Sequence, residues 1–246
     1  MTRIAIIAAM PGELKPLVRG WRHKRRNGVH LWRWRFDEGE WVAACAGAGV
    51  DAATRAFAET ERDGTVDLAI STGWAGALTE ERKVGQVYSV SEVVDARTGE
   101  RFSVSGPPGP GSQATESLLV TSPKVADEAE KKRLAVAYGA GLVDMEAAAI
   151  ARLAAMRGFP FYCAKGVSDG YGEQLPDFNR FISSDGQLQL GCLVLFCILR
   201  PWHWPALIRM GENSKEAAQA IRGSLLGILD GSGAIRKRNG YPNLKR

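Results

Sequence analysis

The chain has 246 residues, enough for one large domain or two small ones, and no stretch of it marks a boundary between halves. With 45% hydrophobic and 24% charged residues it has the composition of a globular protein that buries a core, not of a disordered or fibrous one. The net charge of +5 is mild, so the basic clusters at Arg22–Arg26 and Arg236–Arg246 read as a solvated loop and a frayed terminus before they read as a nucleic-acid site, with an anionic membrane surface as a further option.

RIAIIAA (residues 3–9) is the first of a series of apolar, β-branched runs. The others are WVAACAG (41–47), VDLAIST (66–72), GQVYSVSEVV (85–94), SLLVTS (117–122), GLVDM (141–145) and FPFYCAKGVS (159–168). Several are almost continuously apolar, as strands covered on both faces are. Helical patterns lie between and after them at 51–62, 124–137, 146–157 and 214–229, and Asp51 reads as the N-cap of the first. This alternation predicts an α/β protein, a three-layer α/β/α sandwich around a mixed, twisted sheet. It reads as a single domain over 1–246, with 185–246 as a C-terminal apolar and basic extension carrying the last helix. SVSGPPGPGSQATE (103–116) reads as a loop or small hairpin.

Four cysteines, Cys45, Cys163, Cys192 and Cys197, are spread through the chain without a CxxC pair, and there are only three histidines. Reduced, buried thiols are expected and a zinc site is not. The first apolar segment is too short for a signal peptide, which makes the cytoplasm the expected location. Near the other end, GCLVLFCILRPWHWPALIRMG (191–211) holds an apolar run from Cys192 to Leu199, far too short to span a bilayer. It reads either as a core helix ended by Pro201 or as an amphipathic segment with Arg200, Trp202, Trp204 and Arg209 at a lipid interface.

Three acids stand where the chain leaves apolar strands, the usual place for ligand groups in open α/β sheets. Glu13 follows the first strand in AAMPGEL, Glu146 follows GLVDM, and Asp169 closes GVSD; the glycine turn STGWAGAL (71–78) can bring backbone close to a ligand. Each acid alone also reads as a helix cap. Asp144, two residues before Glu146, could share its face on strand geometry, as a supporting partner or a satisfied structural acid.

Taken together and in order, IAIIAAMPGEL, TGWAGAL with KVGQVYSVSEVV, LLVTS, VDMEAAAIA and GVSD resemble the nucleoside phosphorylase superfamily. Within it they resemble the branch of methylthioadenosine/S-adenosylhomocysteine nucleosidases, over most of residues 1–182. The resemblance implies that Glu146 accepts hydrogen bonds from the ribose hydroxyls, with Met145 packed on the sugar. It implies that Asp169 is the general acid toward a purine ring nitrogen, oriented by Ser168, and that Glu13 is the base that activates water. The Gly73–Gly76 turn, with Trp74 in it, would line the sugar and base pocket. Where an aromatic often stacks on the purine, the chain has Pro123-Lys-Val-Ala126, which leaves Val125 facing the base. An acid at the base and a carboxylate holding water across the sugar follow the two-carboxylate logic of inverting glycosidases. The acid must keep its proton near neutral pH, which partial burial would favour.

Phosphorylases of this superfamily hold phosphate with arginine after the first strand and with Arg and Ser near the glycine turn. Here MPGELKP has no arginine before Arg19, and Trp74 stands where a hydroxyl is common. Guanidinium and hydroxyl donors are therefore missing, and Glu13 would repel an anion, so water is the expected nucleophile and phosphate the alternative. The segment 185–221 resembles the C-terminal region of hopanoid-associated members, which implies adenosylhopane, a lipid-linked adenine nucleoside, as substrate. The competing readings are a soluble nucleosidase or phosphorylase for small nucleosides, and a nucleoside-binding protein without activity. The resemblance implies no metal and no organic cofactor, a homo-oligomer with a dimer favoured, no nucleic-acid partner, and peripheral membrane contact through 192–210 as an option.

Overall fold

The computed structural model describes residues 2–36, 39–104, 116–173, 178–181, 183, 186, 189 and 204–231. The strands are β1 (Thr2–Ala8), β2 (Arg22–Arg26), β3 (Val29–Phe36), β4 (Gly39–Cys45), β5 (Leu68–Ser71), β6 (Trp74–Ala77), β7 (Val87–Asp95), β8 (Arg101–Ser103), β9 (Glu116–Thr121), β10 (Leu142–Asp144) and β11 (Phe161–Asp169). The α-helices are α1 (Pro11–Leu14), α2 (Val50–Glu61), α3 (Glu128–Tyr138), α4 (Ala147–Arg157) and α5 (Trp204–Gly231), and a 3-10 turn covers Phe178–Phe181.

All eleven strands join one mixed sheet in the order β2-β3-β4-β1-β5-β11-β6-β10-β9-β7-β8. β1 is parallel to β4 and β5, and β11 is parallel to β5. An additional antiparallel pairing of β11 with β7 closes β11, β6, β10, β9 and β7 into a ring. All nine residues of β11 are buried, because the strand belongs both to the open half of the sheet and to this ring.

Helices cover both faces, as the near-continuous apolar runs require. α2 and α4 bury Ala52, Ala56, Phe57, Ile150 and Ala154 against one face. On the other, Leu14 and Leu17 beside α1, and Ile221 and Leu225 of α5, pack on Ile4, Ile6, Ile70 and Trp41. α3 closes a third cluster with Leu134 over Val94, Val120 and Val143. Gly139 and Gly158 end α3 and α4 in the left-handed conformation, where a Cβ would be unfavourable.

Several expectations need correction. Arg22–Arg26 is not a loop but an edge strand paired antiparallel with β3. Its face is split by alternation: Arg26 pairs with Glu59 and Asp63 of the α2 end, and Arg33 also meets Asp63. On the opposite face His23, His30 and Trp32 stack, with 4.8 Å between the His23 and Trp32 rings. Charge hid the strand, since an edge strand needs only one buried face and long cationic side chains suit it. TGWAGAL is not a free turn, because Trp74–Ala77 form β6. Asp51 lies in the first turn of α2, and the N-cap is Gly49, at φ +91°. The last helix starts at Trp204, ten residues before its apolar pattern was read. Most of the 103–116 loop and the apolar run 192–199 lie outside the described residues, and with them most of the expected membrane segment. Among the described residues no helix is long and apolar enough to cross a membrane.

Candidate active site

A cleft of about 1200 Å3 opens beyond the carboxyl ends of β1 and β11. Glu13, Trp74, Val125, Met145, Glu146, Ser168 and Asp169 all line it. Of the catalytic and substrate-binding residues expected from the resemblance, Gly73 is the one absent from the wall, and it stands directly behind Glu13.

Glu13 sits in the single turn α1, just after β1, and its side chain folds back onto the backbone. Oε2 accepts the N–H groups of Ala9 and Met10, both at 2.7 Å, and Oε1 accepts that of Trp74 at 2.8 Å. Burial raises its pKa, against the lowering effect of the Met10 and Trp74 N–H groups and the Lys165 ammonium. This is a buried carboxylate held in one orientation with proton affinity above that of a free side chain, as a general base near neutrality requires. Gly73, at φ +117°, makes the approach possible: a Cβ there would lie 2.7 Å from Glu13 Oε1.

Glu146 occupies the N-cap position of α4, immediately after β10. Oε1 accepts the N–H of Gly49 at 2.8 Å, so the positive φ of Gly49 directs a donor from the start of α2 at this carboxylate. Burial and then the nearby Asp144 carboxylate push its pKa up to about 7, against the pull of Lys165. Met145 beside it is half-buried and lines the same wall.

Asp144 does not share this role. Its Oδ1 accepts the Thr121 hydroxyl at 2.7 Å, and Oδ2 accepts the Ala147 N–H at 2.9 Å and pairs with Lys165 Nζ at 2.8 Å. It is the structural acid of the two. Lys165 also donates to Thr72 O at 3.0 Å. Burial alone would lower the Lys165 pKa, but the surrounding anions, Asp144 first, raise it.

Asp169 ends β11 at the other side of the cleft. Oδ1 accepts the Ser168 hydroxyl at 2.8 Å, and Oδ2 accepts Lys131 Nζ of α3 at 2.5 Å, while that ammonium also donates to Gly170 O at 2.7 Å. Burial of this acid was expected from the sequence, and the cation beside it was not. A Cβ on Gly76 would lie 2.9 Å from Asp169 Oδ2 and 3.2 Å from Lys131 Cε. Gly73 just before β6 and Gly76 within it therefore serve one carboxylate each.

Val125 lines the cleft. Its N–H donates to Asn179 Oδ1 at 2.8 Å and its carbonyl accepts from Asn179 Nδ2 at 3.1 Å, so the 3-10 turn takes up its main chain. Trp74 is half-buried, and its indole N–H donates to Ser214 O of α5 at 3.0 Å. This ties β6 to a wall formed by Met210, Gly211, Ser214, Lys215 and Ala218 of α5, opposite Pro16 and Val18 after α1, with Trp32 of β3 also lining the cleft.

Lys131, Lys165 and the α5 wall were missed in the sequence. Lys165 did leave a signal, as a lone lysine inside an apolar strand. Lys131 left none, because Lys131-Lys132 in a helix reads as a solvated face. Cys45 and Cys163 are buried free thiols, and burial lifts both pKa values to about 12. Cys192 and Cys197 lie outside the described residues.

Residues 3–125 and 120–189 match the family model of the phosphorylase superfamily. No curated protein matches the chain. Among solved structures, the Arabidopsis thaliana 5′-methylthioadenosine nucleosidase is similar over 97% of this chain and 98% of its own, with a TM-score of 0.71 and 18% identity. The methylthioadenosine/S-adenosylhomocysteine nucleosidase of S. pneumoniae gives 0.70 and 20% identity, covering 94% of this chain and 100% of its own. The futalosine hydrolase of Helicobacter pylori gives 0.71 and 15% identity, covering 93% and 97%. At these identities the likeness is one of fold.

Proposed function

The chain belongs to the phosphorylase superfamily, and on that premise we propose that it hydrolyses the N-glycosidic bond of a purine nucleoside, with water as the nucleophile. Asp169 would protonate the departing base, Glu146 would accept hydrogen bonds from the ribose hydroxyls, and Glu13 would take the proton of the attacking water. The three carboxylates line one cleft, and each is held in a single orientation by donors of the fold. The solved neighbours, two nucleosidases and a hydrolase, support this class.

One observation favours water over phosphate. The N–H groups of Ala9, Met10 and Trp74 converge as a cradle that could bind an oxyanion, but the carboxylate of Glu13 already fills it. A phosphate brought there would meet a negative charge and no free donor of that set.

The cleft also supports a large substituent on the 5′ carbon. At about 1200 Å3 it exceeds the roughly 300–1,000 Å3 of ordinary small-molecule sites. It continues past the acids between α1 and α5 along Pro16, Val18, Met210 and Ala218. The adenosylhopane implied by the C-terminal resemblance belongs to this class, with adenine as the base. The reading includes a cytoplasmic homodimer that meets its substrate at the membrane face.

Base release from a panel of purine nucleosides with short and long apolar 5′ groups, with and without phosphate, tests the proposal. Release in phosphate-free buffer is expected, faster with the long group. Strict dependence on phosphate would overturn the hydrolase, and indifference to the 5′ group would remove the lipid-linked substrate. Failure to associate with liposomes, together with rapid cleavage of methylthioadenosine, would also remove it.

A further inference from the structure

The departing base takes up a proton, yet the group assigned to give it has both oxygens engaged as acceptors. Ser168 donates to Oδ1 of Asp169 at 2.8 Å and the Lys131 ammonium donates to Oδ2 at 2.5 Å. Lys131 reaches this point from α3 with 1% of its surface exposed. Its described acceptors are Asp169 Oδ2 and Gly170 O. Burying an ammonium and a carboxylate together contributes little to stability, since desolvation offsets the attraction. The fold nonetheless makes room for the pair at Gly76, where a Cβ would press on both partners.

We propose that Lys131 is a positioning and proton-supplying partner of Asp169, so that the proton delivered to the base is drawn from the Lys131 ammonium through the Asp169 carboxyl group. The inference rests on the nucleosidase reading. As the glycosidic C–N bond breaks, its electron pair stays with the base; an N–H of Lys131 breaks to put a proton on Oδ2, and the Asp169 carboxyl group so formed passes its proton to a base nitrogen. Asp169 is left again as a carboxylate, beside a neutral amine. The attacking water gives its hydroxyl to the sugar carbon and its proton to Glu13. Return of one proton from Glu13 through solvent to Lys131 closes the cycle with no net change beyond hydrolysis. Lys131 acts through Asp169 and touches no reacting atom itself.

Lysine and arginine separate two roles here. Both supply a cation that orients Asp169, but a guanidinium does not release its proton in a protein. The test compares Lys131→Met and Lys131→Arg with the wild type, following base release from adenosine and inosine between pH 5 and 9, with thermal unfolding as a folding control. At pH 7.5, kcat of Lys131→Met is expected to fall about 100-fold, within the usual share of a general acid, with KM changed less than about threefold. Its rate should rise as pH falls toward 5, with solvent protons taking the place of the one Lys131 supplies. Lys131→Arg should stay slow throughout.

Wild-type rates in Lys131→Arg would overturn the proposal, because the cation would then be enough. A Lys131→Met rate equal to or above wild type at pH 7.5, or a loss that is the same at every pH, would overturn it too. Should Lys131→Met fail to fold, the Lys131→Arg rate still decides. If the wild type releases base from neither nucleoside nor from any in the wider panel, the nucleosidase reading falls. If the wild type turns over and the variants do not follow the pattern, only the role of Lys131 falls.

Discussion

Lys165 and Asp144 form an ion pair sealed from solvent, with 2.8 Å between Nζ and Oδ2 and side-chain exposures of 1% and 0%. The pair sits beside Glu146 in the cleft, and its cation also draws down the proton affinity of Glu13 and Glu146. Lys165→Met leaves Asp144 buried and uncompensated. We expect a loss of about 3–5 kcal/mol in denaturant unfolding. A loss below about 1 kcal/mol would show that Thr121 and the Ala147 N–H suffice for Asp144.

Gly73→Ala tests the fit behind Glu13. The substituted residue would have to hold φ near +117° and place its Cβ 2.7 Å from the Glu13 carboxylate. In its proposed role, displacement of Glu13 from its three N–H donors should lower kcat for base release by about 100-fold, the scale on which a misplaced catalytic group acts. KM should change far less. Gly28→Ala, where a Cβ meets nothing within 4 Å, is the control for positive-φ strain alone.

Glu146 gives a pH dependence with a definite sign. Its pKa of about 7 in the fold exceeds the ordinary 4.5, so the folded chain binds this proton more tightly than the unfolded one. The associated stability is present below pH 4.5 and is lost as pH rises through 7. Unliganded protein should therefore lose thermal stability between pH 5 and 7, and Glu146→Gln should flatten that part of the profile. Binding of a ribose diol to the carboxylate runs the other way, so KM should fall as pH rises through 7. An unchanged stability profile in Glu146→Gln would refute the linkage.

Asp169→Asn keeps the shape of the base end and removes the transferable proton. Turnover should be abolished while nucleoside affinity, measured by calorimetry, stays within about tenfold, since an acid used only at the transition state acts on kcat. Near wild-type turnover would remove Asp169 from the mechanism.

Much of this site was legible in the sequence because its acids stand at the ends of apolar strands, where β1, β10 and β11 stop and a ligand can begin. Glu13, Glu146 and Asp169 are all visible in that way. The partners that hold them were hidden for physical reasons. Lys131 meets Asp169 across 38 residues of chain and Gly49 meets Glu146 across 97, and no local pattern records such contacts. The β2 and β3 hairpin escaped notice because its outer strand is RHKRR, whose alternation only shows once Arg26 and Arg33 are seen to turn toward Glu59 and Asp63. Asp144 and Glu146 could not be separated by strand periodicity, because β10 ends between them.

β11 carries Lys165 beneath the proposed sugar end of the cleft and Asp169 at the proposed base end, and it is pinned by hydrogen bonds to β5, β6 and β7. It therefore works as a ruler. The spacing between the two ends cannot be stretched for a different nucleoside without breaking pairings on both sides of the sheet. The walls contributed by α1 and α5 lie outside those ladders, and β6 meets each of them through Trp74, whose backbone N–H donates to Glu13 of α1 and whose indole N–H donates to Ser214 O of α5. Changes in substrate range should accumulate along those helices, while the distance between base and sugar stays as the strand sets it.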